Sequence, residues 1–202
     1  DIFSGITVAA STFADTVDPD TYTQSTIDDT VDVNGTAHTN SGSKTVFTSD
    51  STGYRFYEDL SGGCVYSKTT DGGSSWGSAI TVDAQTDCIA VQVWYDRWTP
   101  GDTGNYIHIA TLDIGNDDVW YNRLDTTSDT LLLGTTTVST LVGSGQGGTS
   151  ITEGENFISI TKGTDGTVYV LSNDGTGVND SFVLECSTAC QTASNWTETG
   201  TN

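Results

Sequence analysis

Short strand-like segments separated by turn residues constrain the fold of this chain more than any other feature. Runs rich in Val, Ile, Tyr, Phe and Trp recur, bounded by Gly, Asp, Asn and Ser. Their length and alternation are typical of β-strands, and the turn residues between them permit tight antiparallel connections. The first set predicts a four-stranded antiparallel sheet from Lys44–Ser49, Gly53–Asp59, Cys64–Thr69 and Ala79–Val82.

The same pattern occurs twice more. The second set comprises Ile89–Tyr95, Tyr106–Leu112, Val119–Leu124 and an outer strand near Leu131–Val138. The third set comprises Ile158–Thr161, Thr167–Ser172 and Phe182–Cys186, and it ends near Trp196 and Thr197. The second strands begin near residues 53, 106 and 166, so the repeat is slightly longer than the roughly 40 to 50 residues of propeller blades. We predict an all-β blade-repeat domain at 44–202, with blades at about 44–85, 86–140 and 150–200.

Residues 1–43 fit this scheme poorly because they are polar, acidic and weakly periodic. We interpret them as an N-terminal arm or a partial blade. We also expect that any export signal has been removed, or that the chain is a segment of a longer protein.

An eight-residue motif follows the third strand of the first set. It is Thr69-Thr-Asp71-Gly-Gly73-Ser-Ser75-Trp76, in which Asp71 can accept backbone N–H groups, the glycines permit unusual φ values and Trp76 can pack the turn onto the sheet. The motif resembles the Asp-box (BNR repeat) of sialidase-like β-propellers, which implies a fold and not catalysis, since in that family it lies on the blade periphery. The third set contains a degenerate copy of the motif that retains Trp196. In the second set, residues 122–131 occupy the equivalent place but contain no Trp.

Four cysteines lie in two local groups. In a chain rich in Thr and Ser we interpret them as disulfides joining Cys64 to Cys88 and Cys186 to Cys190, although four cysteines allow three connectivities. The competing interpretation, zinc, is disfavoured because there are only two His and no CxxC motif.

Six Lys plus Arg against 27 Asp plus Glu give a formal charge of -21. This chain cannot assemble the basic face that nucleic acid or an anionic membrane surface requires. No apolar run approaches the roughly 18 residues of a membrane span, so we expect no membrane insertion. Composition and cysteines together predict a secreted or cell-surface protein.

The resemblance to sialidases implies a set of catalytic groups, which in that family includes three Arg that clamp the sugar carboxylate. This chain has three Arg in total, Arg55, Arg97 and Arg123, and none stands in a complete family motif. The family closes six blades around an axis whereas this chain supplies about three, so a hydrolase is the weakest of the functional hypotheses.

A dense aromatic and polar cluster runs from Trp94 through Tyr95 to Trp98. If these rings are exposed, they can stack on sugars; if they are buried, they form the core of a blade. Both interpretations stay open at this point.

Two further kinds of site follow from short patterns. The oxygen-rich group Asp113, Asn116, Asp117 and Asp118 is the candidate for calcium, the one cofactor the sequence suggests. Asn34, Asn179 and Asn195 begin formal N-glycosylation patterns.

Three blades leave open sheet edges, which a stable protein has to cover. The leading hypothesis is therefore a non-catalytic extracellular structural or adhesive module that assembles with copies of itself, as in a filament or surface layer, or with the remainder of a larger surface protein. A glycan-binding propeller module is the second hypothesis, and a sialidase-like glycosidase is the third.

Overall fold

The protein is an all-β stack of three antiparallel sheets, seen in a computed structural model. The structure describes residues 44–59, 61–83, 88–113, 118–132, 139–142, 158–173 and 181–199. The N-terminal arm predicted at 1–43 lies outside the described residues.

Each sheet is a meander whose first four strands pair in chain order, as expected when short turns join strands. Sheet 1 contains β1 (Thr45–Phe47), β2 (Gly53–Glu58), β3 (Cys64–Thr69) and β4 (Ile80–Asp83). Sheet 2 contains β5 (Cys88–Tyr95), β6 (Tyr106–Asp113), β7 (Asp118–Asp125), β8 (Thr130–Leu131) and β9 (Ser139–Val142). Sheet 3 contains β10 (Ile158–Lys162), β11 (Val168–Asn173), β12 (Ser181–Cys186) and β13 (Thr197–Thr199).

These bounds agree with the predicted strands to within a few residues, except at the outer strand of sheet 2. The sequence predicted one strand near Leu131–Val138. Instead β8 pairs with the end of β7 at Leu124 and Asp125, and β9 pairs with its beginning at Val119–Tyr121. β7 is eight residues long and its outer edge is shared by these two short partners; of the predicted strand, residues 133–138 lie outside the described residues.

Sheet 2 lies between the other two and is buried on both faces. Along β5, Val91, Val93 and Tyr95 belong to the apolar cluster shared with sheet 1, whereas Ala90 belongs to the cluster shared with sheet 3 and Trp94 packs against that second cluster. Side chains alternate between faces along a strand, so the nearly continuous apolar run of β5 is what two covered faces require.

The connection between β3 and β4 is the turn formed by the Thr69–Trp76 motif. Asp71 accepts hydrogen bonds from Ser75 N at 2.9 Å, Ser75 Oγ at 2.6 Å and Thr69 Oγ1 at 2.7 Å. Gly72 and Gly73 have φ values of +74° and +92°, which side chains rarely adopt. Trp76 meets Phe47 edge to face at 6.4 Å, so the turn is closed by hydrogen bonds and an aromatic contact.

Both predicted disulfides are present. Cys64 of β3 is bonded to Cys88 at the start of β5, so this bridge joins sheets 1 and 2. Cys186 is bonded to Cys190 and closes the turn after β12, and Trp196 beyond it packs against Tyr121 of sheet 2 with ring centroids 5.1 Å apart. Two disulfides are typical of a protein that folds outside the reducing cytosol.

Candidate functional site

The most concentrated polar chemistry of the described residues lies at one end of sheets 2 and 3. β5 ends in a 3-10 turn at Asp96–Trp98, after which the chain loops back to begin β6 at Tyr106. Thr99 Oγ1 donates to Lys162 O at 2.9 Å, which places the end of β10 beside this loop. The Thr69–Trp76 turn is at the same end, since Asp129 of the β7–β8 turn reaches Tyr54 and Lys68 beside it.

Five residues form what we call the polar junction: Asp96, Asp102, His108, Tyr121 and Lys162. Asp96 is 1% exposed and is its centre. Its Oδ1 lies 2.6 Å from Lys162 Nζ and 2.9 Å from His108 Nε2, and its Oδ2 accepts from Tyr106 N at 2.8 Å. A buried carboxylate is stable only with such partners, and here three donors supply them.

The junction extends beyond Asp96 on both sides. Lys162 Nζ also lies 2.9 Å from Asp102 Oδ2, so one ammonium group is held by two carboxylates. His108 Nδ1 lies 2.6 Å from the Tyr121 hydroxyl. The junction therefore links the loop after β5, two strands of sheet 2 and the end of β10.

The charges of the junction follow from these contacts. Burial alone would raise the pKa of Asp96, but hydrogen bonds from His108, Lys162 and Tyr106 N outweigh it and hold this pKa well below its usual range. Burial lowers the pKa of His108, although Asp96 opposes the shift. Burial also raises the pKa of Tyr121. The junction thus holds an ionised Asp96, a neutral His108 and a protonated Tyr121.

This protonation pattern fixes the tautomer of His108. An ionised carboxylate only accepts, so His108 Nε2 carries the proton that is donated to Asp96. Nδ1 of the neutral ring is then an acceptor, and the Tyr121 hydroxyl donates to it.

An Asp–His–Tyr line of this kind can in principle act as a base. Here its members are only 1%, 3% and 1% exposed, and their polar groups bond to one another. A substrate therefore has no access to His108 or to the Tyr121 hydroxyl. The junction therefore has a structural role, since its buried polar contacts join sheet 2 to sheet 3.

A second group, which we call the arginine rim, lies at the same end of sheet 2 and is exposed or half-buried: Arg97, Trp98, Asn105, Tyr106 and Arg123. Arg97 is exposed and donates from Nη2 to Asn105 Oδ1 at 2.7 Å. The Arg123 guanidinium carbon lies 4.0 Å from the centroid of the half-buried Tyr106 ring. Within the described part of the chain neither guanidinium has a carboxylate partner, and Arg123 Nε is buried without a hydrogen-bond partner.

The aromatic cluster singled out from the sequence divides between core and rim. Tyr95 is 4% exposed and faces sheet 1. Trp94 packs toward sheet 3 and donates from Nε1 to Thr99 Oγ1 at 2.9 Å. Trp98 is half-buried, with its ring 5.7 Å from that of Trp94 and 6.4 Å from that of Tyr95. Trp98 follows the exposed Arg97 in the chain, and the Arg97 guanidinium carbon lies 5.9 Å from the centroid of the Tyr95 ring.

The three arginines do not form one clamp. Arg55 is exposed on β2, and its neighbours Tyr54 and Phe56 point into the cluster between sheets 1 and 2. Because side chains alternate along a strand, Arg55 lies on the opposite face of sheet 1. Arg97 and Arg123 lie at one end of sheet 2, so sheet 1 separates them from Arg55.

Some of the residues predicted to bind calcium or to carry glycans lie outside the described ranges. Asp113 and Asp118 pair through their backbones at the β6–β7 connection, whereas Asn116 and Asp117 lie outside the described residues. Among the residues that the structure describes, no three His, Cys, Asp or Glu are arranged to hold a metal ion. Asn195 is exposed, while Asn34 and Asn179 fall outside the described ranges; glycosylation stays a prediction.

The sequence did not single out the junction, because its members are far apart in the chain and belong to no motif. His108 interrupts the apolar run YIHIATL of β6, and Lys162 ends the run ISITK of β10. The sequence signal for the junction was a polar residue at a strand position where the apolar pattern predicts burial.

The comparisons with known proteins support the fold alone. The sequence matches no protein-family profile, and no curated protein is significantly similar to it. Among solved structures it is similar to an ulvan lyase of polysaccharide lyase family PL25 bound to -[GlcA(1-4)Rha3S]-, with a TM-score of 0.51 and 11% identity over 76% of this chain. A second structure of a PL25 ulvan lyase gives a TM-score of 0.50, also at 11% identity, and covers 76% of this chain and 42% of the lyase.

A GH74 enzyme from Niastella koreensis shows 19% identity over 78% of this chain and 21% of the enzyme, with a TM-score of 0.42. The chain spans 42% of the length of the ulvan lyase bound to the disaccharide, less than half of that protein. The two lyase structures show that this chain shares their β-rich fold. Within the described residues, no helix is long and apolar enough to cross a membrane.

Proposed function

We propose that this chain is a non-catalytic, glycan-binding segment of an extracellular β-propeller protein, and that the arginine rim binds an acidic sugar. The observation that carries the proposal is the pair of guanidinium groups at Asn105 and Tyr106 that have no carboxylate partner in the described part of the chain. In a chain with 27 Asp and Glu, two arginines without a carboxylate partner among the described residues are suited to bind an external anion.

The rim combines the two kinds of contact that sugar recognition uses. Planar guanidinium groups match carboxylate and sulfate oxygens, and the faces of Tyr106 and Trp98 suit the apolar faces of a pyranose ring. Support for an acidic glycan also comes from the ulvan lyase, whose bound disaccharide contains glucuronate and a sulfated rhamnose.

A non-catalytic role is supported by the polar junction. Its acid, imidazole and phenol are buried and bonded to one another. The rim itself offers arginines, an amide, an indole and a phenol, and its five residues include no carboxylate and no imidazole.

Binding of a glucuronate-rhamnose sulfate oligosaccharide, measured by calorimetry at low ionic strength, tests this function. We expect Arg123→Gln to weaken binding about tenfold or more, the scale of one lost charge-assisted hydrogen bond. Arg55→Gln is the matched control, since Arg55 is an exposed arginine on the far face of sheet 1 and should leave affinity unchanged. A neutral cello-oligosaccharide serves as the ligand control.

Two results would contradict the proposal. Equal losses in Arg123→Gln and Arg55→Gln would mean that binding follows net charge and not the rim. Release of unsaturated sugars or new reducing ends from the oligosaccharide would show a catalytic protein.

A further inference from the structure

Asp102 is a carboxylate beside the arginine rim, on the loop between β5 and β6. Its side chain is 22% exposed, and its two oxygens contact different parts of the fold. Oδ2 lies 2.9 Å from Lys162 Nζ, and Oδ1 accepts from Gly104 N at 2.8 Å. Because like charges repel, this carboxylate by its charge alone opposes the binding of an acidic sugar.

Gly104 connects this carboxylate to Arg97. The exposed Arg97 side chain leaves the turn after β5 and donates from Nε to Gly104 O at 3.3 Å. It also donates from Nη2 to Asn105 Oδ1 at 2.7 Å. Both bonds are made to the returning part of the loop, directly before β6. The orientation of the guanidinium therefore depends on how residues 104 and 105 are held.

Residues 104 and 105 have separate anchors. Asn105 O accepts from Thr126 N at 3.0 Å and from Thr126 Oγ1 at 2.8 Å, in the turn that follows β7. Gly104 N is bonded to Asp102, and Asp102 is paired with Lys162 at the end of β10. Loss of the Asp102 side chain therefore removes the anchor of Gly104 and leaves that of Asn105 in place.

We propose, on the basis of the glycan-binding function proposed above, that Asp102 is a positioning residue for that site. It holds Gly104 so that Arg97 faces an acidic sugar in one orientation, while Lys162 offsets the charge of Asp102. An Arg side chain is among those that lose the most rotamer freedom when they are fixed. A guanidinium that is already held loses less of this freedom when a ligand binds, which favours affinity.

Calorimetry with the glucuronate-rhamnose sulfate oligosaccharide tests the proposal on Asp102→Ala and Asp102→Asn. Both variants remove the same charge, but the Asn side chain keeps an oxygen that accepts from Gly104 N. We expect Asp102→Asn to bind more tightly than the parent protein, because a like charge has been removed. Asp102→Ala should bind about tenfold or more weakly than Asp102→Asn, the scale of one lost hydrogen bond.

Asp125→Ala is the matched control for charge. Asp125 is a half-buried carboxylate at the same end of sheet 2, where its backbone pairs with Tyr106 and its side chain accepts from Thr127 N at 2.8 Å. Its removal should not weaken binding. The proposal is wrong if Asp102→Ala binds as tightly as Asp102→Asn, since Asp102 would then act by charge alone. Circular dichroism at the titration temperature establishes that all three variants are folded.

The Arg97 Nε–H resonance in the NMR spectrum reports the same contact without any ligand. Its exchange with water should be faster in Asp102→Ala than in the parent protein and in Asp102→Asn. Equal exchange in all three proteins would overturn the positioning role. If exchange differs as expected but the parent protein binds no acidic oligosaccharide, the glycan-binding function is wrong, while the link from Asp102 through Gly104 to Arg97 is confirmed.

Discussion

Lys162 Nζ lies 2.6 Å from Asp96 Oδ1, and this ion pair joins the end of β10 in sheet 3 to the turn that follows β5 in sheet 2. Asp96 is buried and Lys162 nearly so, with side-chain exposures of 1% and 14%. Such a pair is costly to break, because either group left alone would be a buried charge without a partner.

Replacement of Asp96 by Asn should therefore lower the free energy of unfolding by about 3 kcal/mol, since Lys162 and His108 both lose a charged acceptor. Asp102→Asn is the control, because Asp102 contacts the same ammonium group but is 22% exposed; it should cost about 1 kcal/mol or less. Urea denaturation measures both values. Equal losses would show that Asp96 has no special role in holding the sheets together.

The Asp96 carboxylate also requires a glycine at position 104, because it fills the space that a side chain would occupy there. A Cβ at this position would lie 2.2 Å from Asp96 Oδ2 and 2.7 Å from its Cγ, so Gly104→Ala must displace a buried and fully bonded group. We expect a loss of stability similar to that of Asp96→Asn. We also expect the His108 Nε2–H resonance to be lost or shifted in the NMR spectrum.

Gly77→Ala is the matched control for this substitution, because its Cβ would meet only Lys68 O at 3.4 Å. Its stability should stay within about 0.5 kcal/mol of that of the parent protein. A native His108 spectrum in Gly104→Ala would refute the role assigned to Gly104.

The two disulfides should differ in their contributions. Cys64 and Cys88 are 24 residues apart, so replacing both by Ala releases a long loop and should cost about 3 kcal/mol in the loop-entropy relation. The Cys186–Cys190 pair, with a separation of 4, should cost about 2 kcal/mol. Denaturation of the two double variants under oxidising conditions tests the order, and a larger loss for the short loop would contradict it.

The turn at Thr69–Trp76 should resist acid. Hydrogen bonds from Ser75 Oγ and Ser75 N, followed by the one from Thr69, lower the pKa of Asp71 to about 2. The stabilisation given by the ionised carboxylate is present above the ordinary pKa of Asp, and it is lost as the pH falls through about 2. NMR titration of the Asp71 carboxyl group and the Ser75 amide measures this transition.

A midpoint for Asp71 near the usual value of an Asp would show that the turn is open in solution. Ser75→Ala supplies a control, since it removes one of the donors and should move the midpoint upward. The backbone bond from Ser75 N remains in that variant, so the midpoint should stay below that of an unperturbed Asp.

Much of the architecture could be predicted from residues close together in the chain. Alternation in GYRFYE and CVYSKT predicted β2 and β3, and the motif from Thr69 to Trp76 predicted the turn that follows them. The Cys186–Cys190 bridge was also predicted locally. These features depend on backbone geometry and on contacts within a few residues, which local sequence specifies.

The split of the outer strand of sheet 2 and the sites themselves depend on contacts between distant residues. Asp96 meets Lys162 across 66 positions of sequence, and Trp94 packs against the cluster shared with sheet 3 whereas Trp98 packs against the cluster shared with sheet 1. No periodicity or motif contains that information, because burial is decided by which sheets pack together. The sequence by itself determined the strands, the turns and the disulfides, while the tertiary structure decided which polar residues are buried together between sheets 2 and 3.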